Sequence, residues 1–141
     1  DSSTNTYIVY HQNGSIKSTG KIIDNKPAGK WMFFYDNGVK KAEGEFAEGK
    51  FELGCAGSDN YMDVTVMSGT WKFWNKNKNL ETTCNFKLNE YQEEILDGEY
   101  THYYSNGKIK EEGNYKNNKK DGPWKYWNEN GSLFKNIFYT D

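Results

Sequence analysis

The chain has 141 residues, a formal net charge of −2, and 18 lysines with no arginine. Apolar residues make up only 35% and aromatics 17%, so Trp, Tyr and Phe must supply most of the buried area of a single domain spanning 1–141. No apolar run approaches the roughly 18–20 residues of a membrane helix. The lack of arginine, the usual bidentate reader of guanine and phosphate, argues against specific nucleic-acid binding.

Asp1 to Thr6 is polar and reads as a flexible leader, which fits processing of an exported precursor; a cytoplasmic location is equally open. Behind it one pattern occurs five times. Its first aromatics are Tyr7, Trp31, Trp71, Tyr100 and Trp124, spaced by 24, 40, 29 and 24 residues. A period of 24 with insertions of 16 and 5 accounts for all four spacings, as in a stacked array whose units bury their apolar faces against one another.

Fixed offsets recur within each unit. A glycine stands two residues before four anchors (Gly29, Gly69, Gly98, Gly122). Seven residues after come Gly14, Gly38, Gly107 and Gly131, each preceded by asparagine. Thirteen after come Gly20, Gly44 and Gly113, with Cys84 and Ile137 as exceptions. Asn-Gly suits a two-residue type I′ turn, so each unit reads as strand, tight turn, strand, looser turn. Such a turn at Asn106-Gly107 sets Ser105 opposite Lys108 and Tyr104 opposite Ile109. Tyr100, His102, Tyr104, Ile109, Gly113 and Tyr115 then share one face with Trp31, Phe33, Tyr35, Trp71, Phe73, Phe86, Trp124 and Tyr126 of the other units. A second set, Tyr10, Phe34, Trp74, Tyr103 and Trp127, forms an aromatic ladder on the polar side and is a set of candidate contacts for a protein partner. A three-residue turn with a bulge would move that ladder to the other face.

The first unit closes through Asp24 to Gly29, where lysines and Pro27 suit an edge that avoids pairing. The insertion, about 47–68, holds a small-residue loop and an alternating stretch, Tyr61 to Met67, read as an additional or extended strand. An insertion in a regular array is a natural recognition site, which makes Asp59, Tyr61 and Asp63 contact candidates. In the third unit Lys78 and Cys84 replace glycines. The acidic link, about 88–97, forms a helical turn or extends the hairpin, and adds Glu93 and Glu94 as candidates. The last unit, with Ile137 for glycine and extra apolar residues, suits a terminal cap.

Residues 43 to 99 hold 12 acids and 5 lysines, a net of −7, against 8 acids and 13 lysines elsewhere. An acidic middle steers a basic partner. Cys55 and Cys84 match no metal-ligand spacing and are expected as two thiols, with a disulfide as the alternative in an exported protein. His11 and His102 stand where other units have aromatics and are expected as packed rings. The pairs Glu93-Glu94 and Glu111-Glu112 point to opposite strand faces, so neither makes a carboxylate dyad. No catalytic, cofactor-binding or metal residue is expected.

The unit Gly122 to Leu133 resembles the bacterial variant of the MORN repeat, as do Gly98 to Tyr115 and Gly29 to Phe46. The resemblance implies an all-β, elongated, single-layer antiparallel meander of about five repeated hairpins, with nine to eleven strands. It transfers no catalytic residues. Many such proteins are immunity or antitoxin partners of toxins, and others are lipoproteins or surface proteins. The reading is therefore a non-enzymatic protein-binding repeat protein, immunity- or antitoxin-like, that occludes a basic toxin. The alternatives are an exported envelope or lipoprotein scaffold and a carbohydrate-binding module using the ladder.

Overall fold

The computed structural model describes residues 4–52 and 61–140. Among them eleven strands form one open antiparallel sheet: β1 (Thr4–Tyr10), β2 (Ile16–Ile23), β3 (Lys26–Phe34), β4 (Lys40–Glu52), β5 (Tyr61–Trp74), β6 (Leu80–Leu88), β7 (Glu94–Leu96), β8 (Gly98–Tyr103), β9 (Ile109–Lys116), β10 (Lys119–Trp127) and β11 (Leu133–Tyr139). Neighbours in sequence are neighbours in space, except that β7 is a short return beside β6 and β8 then takes its place in the order. The single-layer meander expected from the repeat is the fold. Thr4 to Thr6, read as leader, belong to β1, where they pair with Ile23, Ile22 and Lys21. Pro27 lies in an interior strand opposite Ile22, so β1 and not this segment forms the edge.

The two kinds of turn are the reverse of the expectation. At each Asn-Gly tip only the glycine takes a positive φ, 85° to 92°. The Gly107 N–H donates to the Tyr104 carbonyl at 3.0 Å and the Tyr104 N–H to the Lys108 carbonyl at 2.8 Å. This is a type I turn closed by a left-handed glycine, a three-residue connection. The type I′ pairs are instead Asp24-Asn25 (φ 50° and 66°) and Asn117-Asn118 (φ 50° and 68°), at the other end of the sheet.

The tip geometry shifts the register by one. Tyr103, not Tyr104, faces Ile109, and His102 faces Glu111. One extra residue bulges from the returning strand: Lys17, Lys41, Glu81, Lys110 and Phe134 in the five hairpins. Because the bulge is not on the anchor strand, alternation there is unbroken. The ladder aromatics stay on the face opposite the anchors.

Lys78 tests the cost of this turn. It holds the left-handed position (φ 71°) that glycine fills at the other tips. There the Asn75 side chain accepts from the backbone N–H of Asn77 and of Asn79 and so braces the turn. A Cβ in this region costs about 1–2 kcal/mol, partly offset by the greater chain entropy that glycine loses on folding. Lys78→Gly is therefore expected to stabilise the protein by up to about 1 kcal/mol, read as a higher urea midpoint at unchanged m-value.

A sheet with no second layer must bury its rings against its own backbone. It does so at Gly20, Gly44 and Gly113. A Cβ there would stand 2.2, 2.1 and 2.3 Å from Cδ2 of Trp31, Trp71 and Trp124. Each indole therefore lies flat on the glycine of the preceding hairpin. Each indole N–H donates to the carbonyl one residue beyond that glycine: Lys21 at 2.9 Å, Glu45 at 3.0 Å and Asn114 at 2.9 Å. The offset that places the ring is a larger bulge, with two extra residues on the anchor strand at Gly29-Lys30, Gly69-Thr70 and Gly122-Pro123. Trp71 and Trp124 are 1% and 0% exposed.

The one interior exception obeys the same geometry. Where Cys84 replaces the glycine, the following anchor is Tyr100, a smaller ring. The pairs Thr82–His102 and Thr83–Thr101, continued by one residue, set Cys84 across from Tyr100. Tyr100 packs against the cluster of Ala42, Trp71 and Cys84. Cys84 is a free thiol whose burial pushes its pKa up to about 11. Cys55 lies outside the described residues.

Candidate binding surface

The sheet offers two faces, two edges and two ends. The anchor face is an aromatic run from Trp31 through Phe33, Phe46 and Trp71 to Phe73, continued by Tyr100, Tyr115, Trp124, Tyr126 and Tyr139. Lys120 covers part of it, with Nζ 4.4 Å from the Trp124 ring centre and 3.1 Å from the Tyr126 hydroxyl, to which it donates. Burial pulls the Lys120 pKa down, but the Tyr126 bond and the Glu111 carboxylate outweigh it and the net shift is upward. The ammonium is a lid for the rings rather than a reactive amine.

The ladder lies on the other face. Tyr10 is 58% exposed, whereas Phe34, Trp74, Tyr103 and Trp127 are half-buried. Each stands across from the residue nine after its anchor: Ile16, Lys40, Leu80, Ile109 and Leu133. Lys40 also places its ammonium 5.3 Å from the Trp74 ring centre. Trp74 borders a cavity of about 330 Å³ shared with Val39, Lys40 and Lys78.

The ladder backbone has a further part that its spacing alone does not reveal. The residue four after an anchor donates to the ladder carbonyl of the next hairpin: His11 to Phe34 at 2.9 Å, Tyr35 to Trp74 at 2.7 Å, Tyr104 to Trp127 at 2.6 Å. His11 thus stands in for a tyrosine, its Nε2 carrying the proton. The sequence signal was there: His11, Tyr35, Asn75, Tyr104 and Asn128 all bear an N–H or O–H. His102, by contrast, pairs its Nδ1 with the Thr82 hydroxyl at 2.9 Å.

The tip asparagines form a second inter-hairpin row. Nδ2 of Asn13, Asn37 and Asn106 donates to the carbonyls of Asp36, Lys76 and Glu129. Their Oδ1 atoms accept from the N–H two residues on, at Ser15, Val39 and Lys108. Asn37→Ala removes both bonds and is expected to cost about 1–2 kcal/mol. Asn37→Asp keeps the acceptor and should cost less. Urea titration of the two variants separates local turn from inter-hairpin contributions.

At the opposite end the two departures from the period meet. β4 and β5 run on as a long hairpin arm, paired from Glu45–Ser68 to Glu52–Tyr61. The link extends the β6 hairpin: Asn89 to Glu93 makes a turn of the tip type, with Gln92 at φ 63°, and β7 returns along β6. This turn lies against the arm. The Gln92 carbonyl stands 2.9 Å from where a Cβ on Gly49 would be, and the Glu94 carboxylate accepts from the Met67 N–H. Val66 and Ile95 are buried at this corner.

The acidic candidates divide accordingly. Glu94 serves the arm backbone, and Glu93 accepts from Asn89 Nδ2 at 3.2 Å. Asp97 pairs with Lys87 at 3.2 Å. Glu45, Glu48 and Glu90 are exposed, and Tyr91 at the turn tip is 57% exposed. Asp59 lies outside the described residues. Tyr61 and Asp63 belong to the start of β5, opposite Glu52 and Lys50, with side chains outside the described part.

Among the described residues there is no group of three or more His, Cys, Asp or Glu that could hold a metal ion. Among them no helix is long and apolar enough to cross a membrane. A sequence profile described as MORN repeat variant matches residues 28–48, 67–88, 96–117 and 120–141, more than half of the chain. The hairpin β1–β2 precedes these matches yet has the same tip, bulge and glycine. No curated protein and no solved structure matches significantly.

Proposed function

The chain belongs to the MORN repeat variant family, whose repeats generally bind proteins or membranes and are typically not enzymes, and from that premise we propose that it is a scaffold whose acidic corner docks a basic protein. The finer reading is an immunity- or antitoxin-like protein that occludes a basic toxin. The observation that carries it is the meeting of insertion and link. Two segments that break the period, far apart in sequence, pack together at one end of the sheet inside the region of net charge −7. Long-range attraction brings the partner to the corner, and an exposed aromatic such as Tyr91 supplies apolar contact area once water is excluded.

Capture from the source cells, comparing the chain with a Glu45→Lys, Glu48→Lys and Glu90→Lys triple variant, tests this reading. The expected partner is a basic protein, released by moderate salt and not retained by the variant. A partner held equally by both forms removes the acidic corner from the account. The ladder draws less support as a sugar platform, since four of its five rings are half-buried against cross-strand neighbours. A glycan array in which Trp74→Ala and Trp127→Ala abolish a hit would reverse that preference.

A further inference from the structure

We propose that a cavity at the tip end of the first hairpins binds a soluble aromatic phosphate monoester. The cavity measures about 380 Å³, within the range of small-molecule sites, about 300–1,000 Å³. Phe33 and Tyr35 give it two rings from the second hairpin. His11 lines it from the first, with its Nε2 already bonded to the Phe34 carbonyl.

Charge is what marks this cavity. Lys17, Lys41 and Lys76 line it against the single carboxylate of Asp36. The Nζ atoms of Lys41 and Lys76 stand 5.7 and 5.8 Å from the centre of the same Tyr35 ring. Lys76 lies 3.9 Å from Asp36, while Lys17 and Lys41 form no ion pair among the described residues. Three ammoniums around one hollow repel one another, and an entering dianion relieves that repulsion. A phosphate monoester carries about −1.5 to −2 charges at neutral pH. Lysine holds such a group as a point charge, so the lack of arginine is no obstacle. The two rings then offer an aromatic body an offset-stacked or edge-on seat.

The repeat contains its own control. Lys17 and Lys41 are the bulged residues ten after Tyr7 and Trp31, and Lys76 stands five after Trp71. The fourth hairpin has the same pair of ring and bulge, with Lys110 Nζ 5.7 Å from the Tyr104 ring centre. Around Tyr104, however, the position of Lys17 is taken by Glu81 and that of Lys76 by Glu129. A lysine over a tyrosine is thus a property of the repeat, whereas the gathering of three lysines belongs to the Tyr35 cavity.

Isothermal titration with phenyl phosphate tests the proposal. Saturable binding at one site per chain is expected, weakened about ten-fold or more by Lys41→Gln. Lys110→Gln should leave it unchanged, and Glu81→Lys with Glu129→Lys should add a second site at Tyr104. Unaltered urea midpoints show that the variants fold. Inorganic phosphate should bind more weakly, because it leaves the rings untouched. No binding of phenyl phosphate at millimolar concentration overturns the proposal, as does an equal loss with Lys110→Gln. Inorganic phosphate binding as tightly as phenyl phosphate removes the aromatic body from it. Phosphatidylcholine vesicles containing phosphatidic acid present the same phosphate chemistry on a lipid; tighter binding to them than to phenyl phosphate also overturns it, in favour of a membrane surface. The Glu45→Lys, Glu48→Lys and Glu90→Lys triple variant, changed at the other end of the sheet, should bind phenyl phosphate normally, so this result and the capture of a basic partner are read independently.

Discussion

Gly44→Ala is expected to lower stability by about 3 kcal/mol or more, a large effect for one added methyl group. The methyl would stand 2.1 Å from the Trp71 ring, which cannot move away without losing its bond to the Glu45 carbonyl. Gly14→Ala is the control. Its φ is 91°, but nothing lies within 4 Å of its Cβ position, so it bears only the backbone penalty of about 1–2 kcal/mol. Urea titration of both variants separates the two mechanisms, and equal losses would show that the ring is not seated on the glycine. The interior exception supplies a compensating pair. Gly113→Cys alone should be as damaging as Gly44→Ala, whereas Gly113→Cys with Trp124→Tyr copies the meeting of Cys84 with Tyr100 and should recover part of the loss. A positive coupling energy in that double-mutant cycle is the expected sign.

The match of glycine to an aromatic ring was readable from spacing, because the anchor recurs in all five units and a glycine stands thirteen residues after it in three of them. The turn type was not. Asn-Gly satisfies a type I′ turn and also a type I turn closed by a left-handed glycine, and local sequence does not separate them. What distinguishes them here is non-local: the amides of Asn13, Asn37 and Asn106 also serve the next tip, as Asn37 serves Lys76. The same holds for His11, which reads locally as a packed ring and is in fact a donor to the neighbouring hairpin. At the acidic corner both segments could be recognised separately as departures from the period. Their meeting could not, since it rests on Gly49 leaving space beside the Gln92 carbonyl. Glu94 shows the consequence: charge counting marks it for a partner, while the fold uses it to hold Met67.

Trp124→Ala should cost about 3–5 kcal/mol, and the way that loss is distributed matters more than its size. The indole is 0% exposed and contacts the rings of Tyr100, Tyr115, Tyr126 and Tyr139, all on β8 to β11. In an array whose units touch only their neighbours, such a defect frays one end and leaves the rest folded. Hydrogen exchange is therefore expected to accelerate across β8 to β11 while β3 to β5 keep most of their protection. Trp71→Ala provides the contrast, because that ring touches Phe33, Phe46 and Phe73 in the middle of the sheet. Its loss should lower protection on both sides together. Uniform acceleration from both substitutions would mean that the sheet unfolds as one cooperative body. Trp124→Phe then isolates the indole N–H, since it keeps a ring over Gly113 and leaves the Asn114 carbonyl without its donor, at an expected cost of about 1–2 kcal/mol.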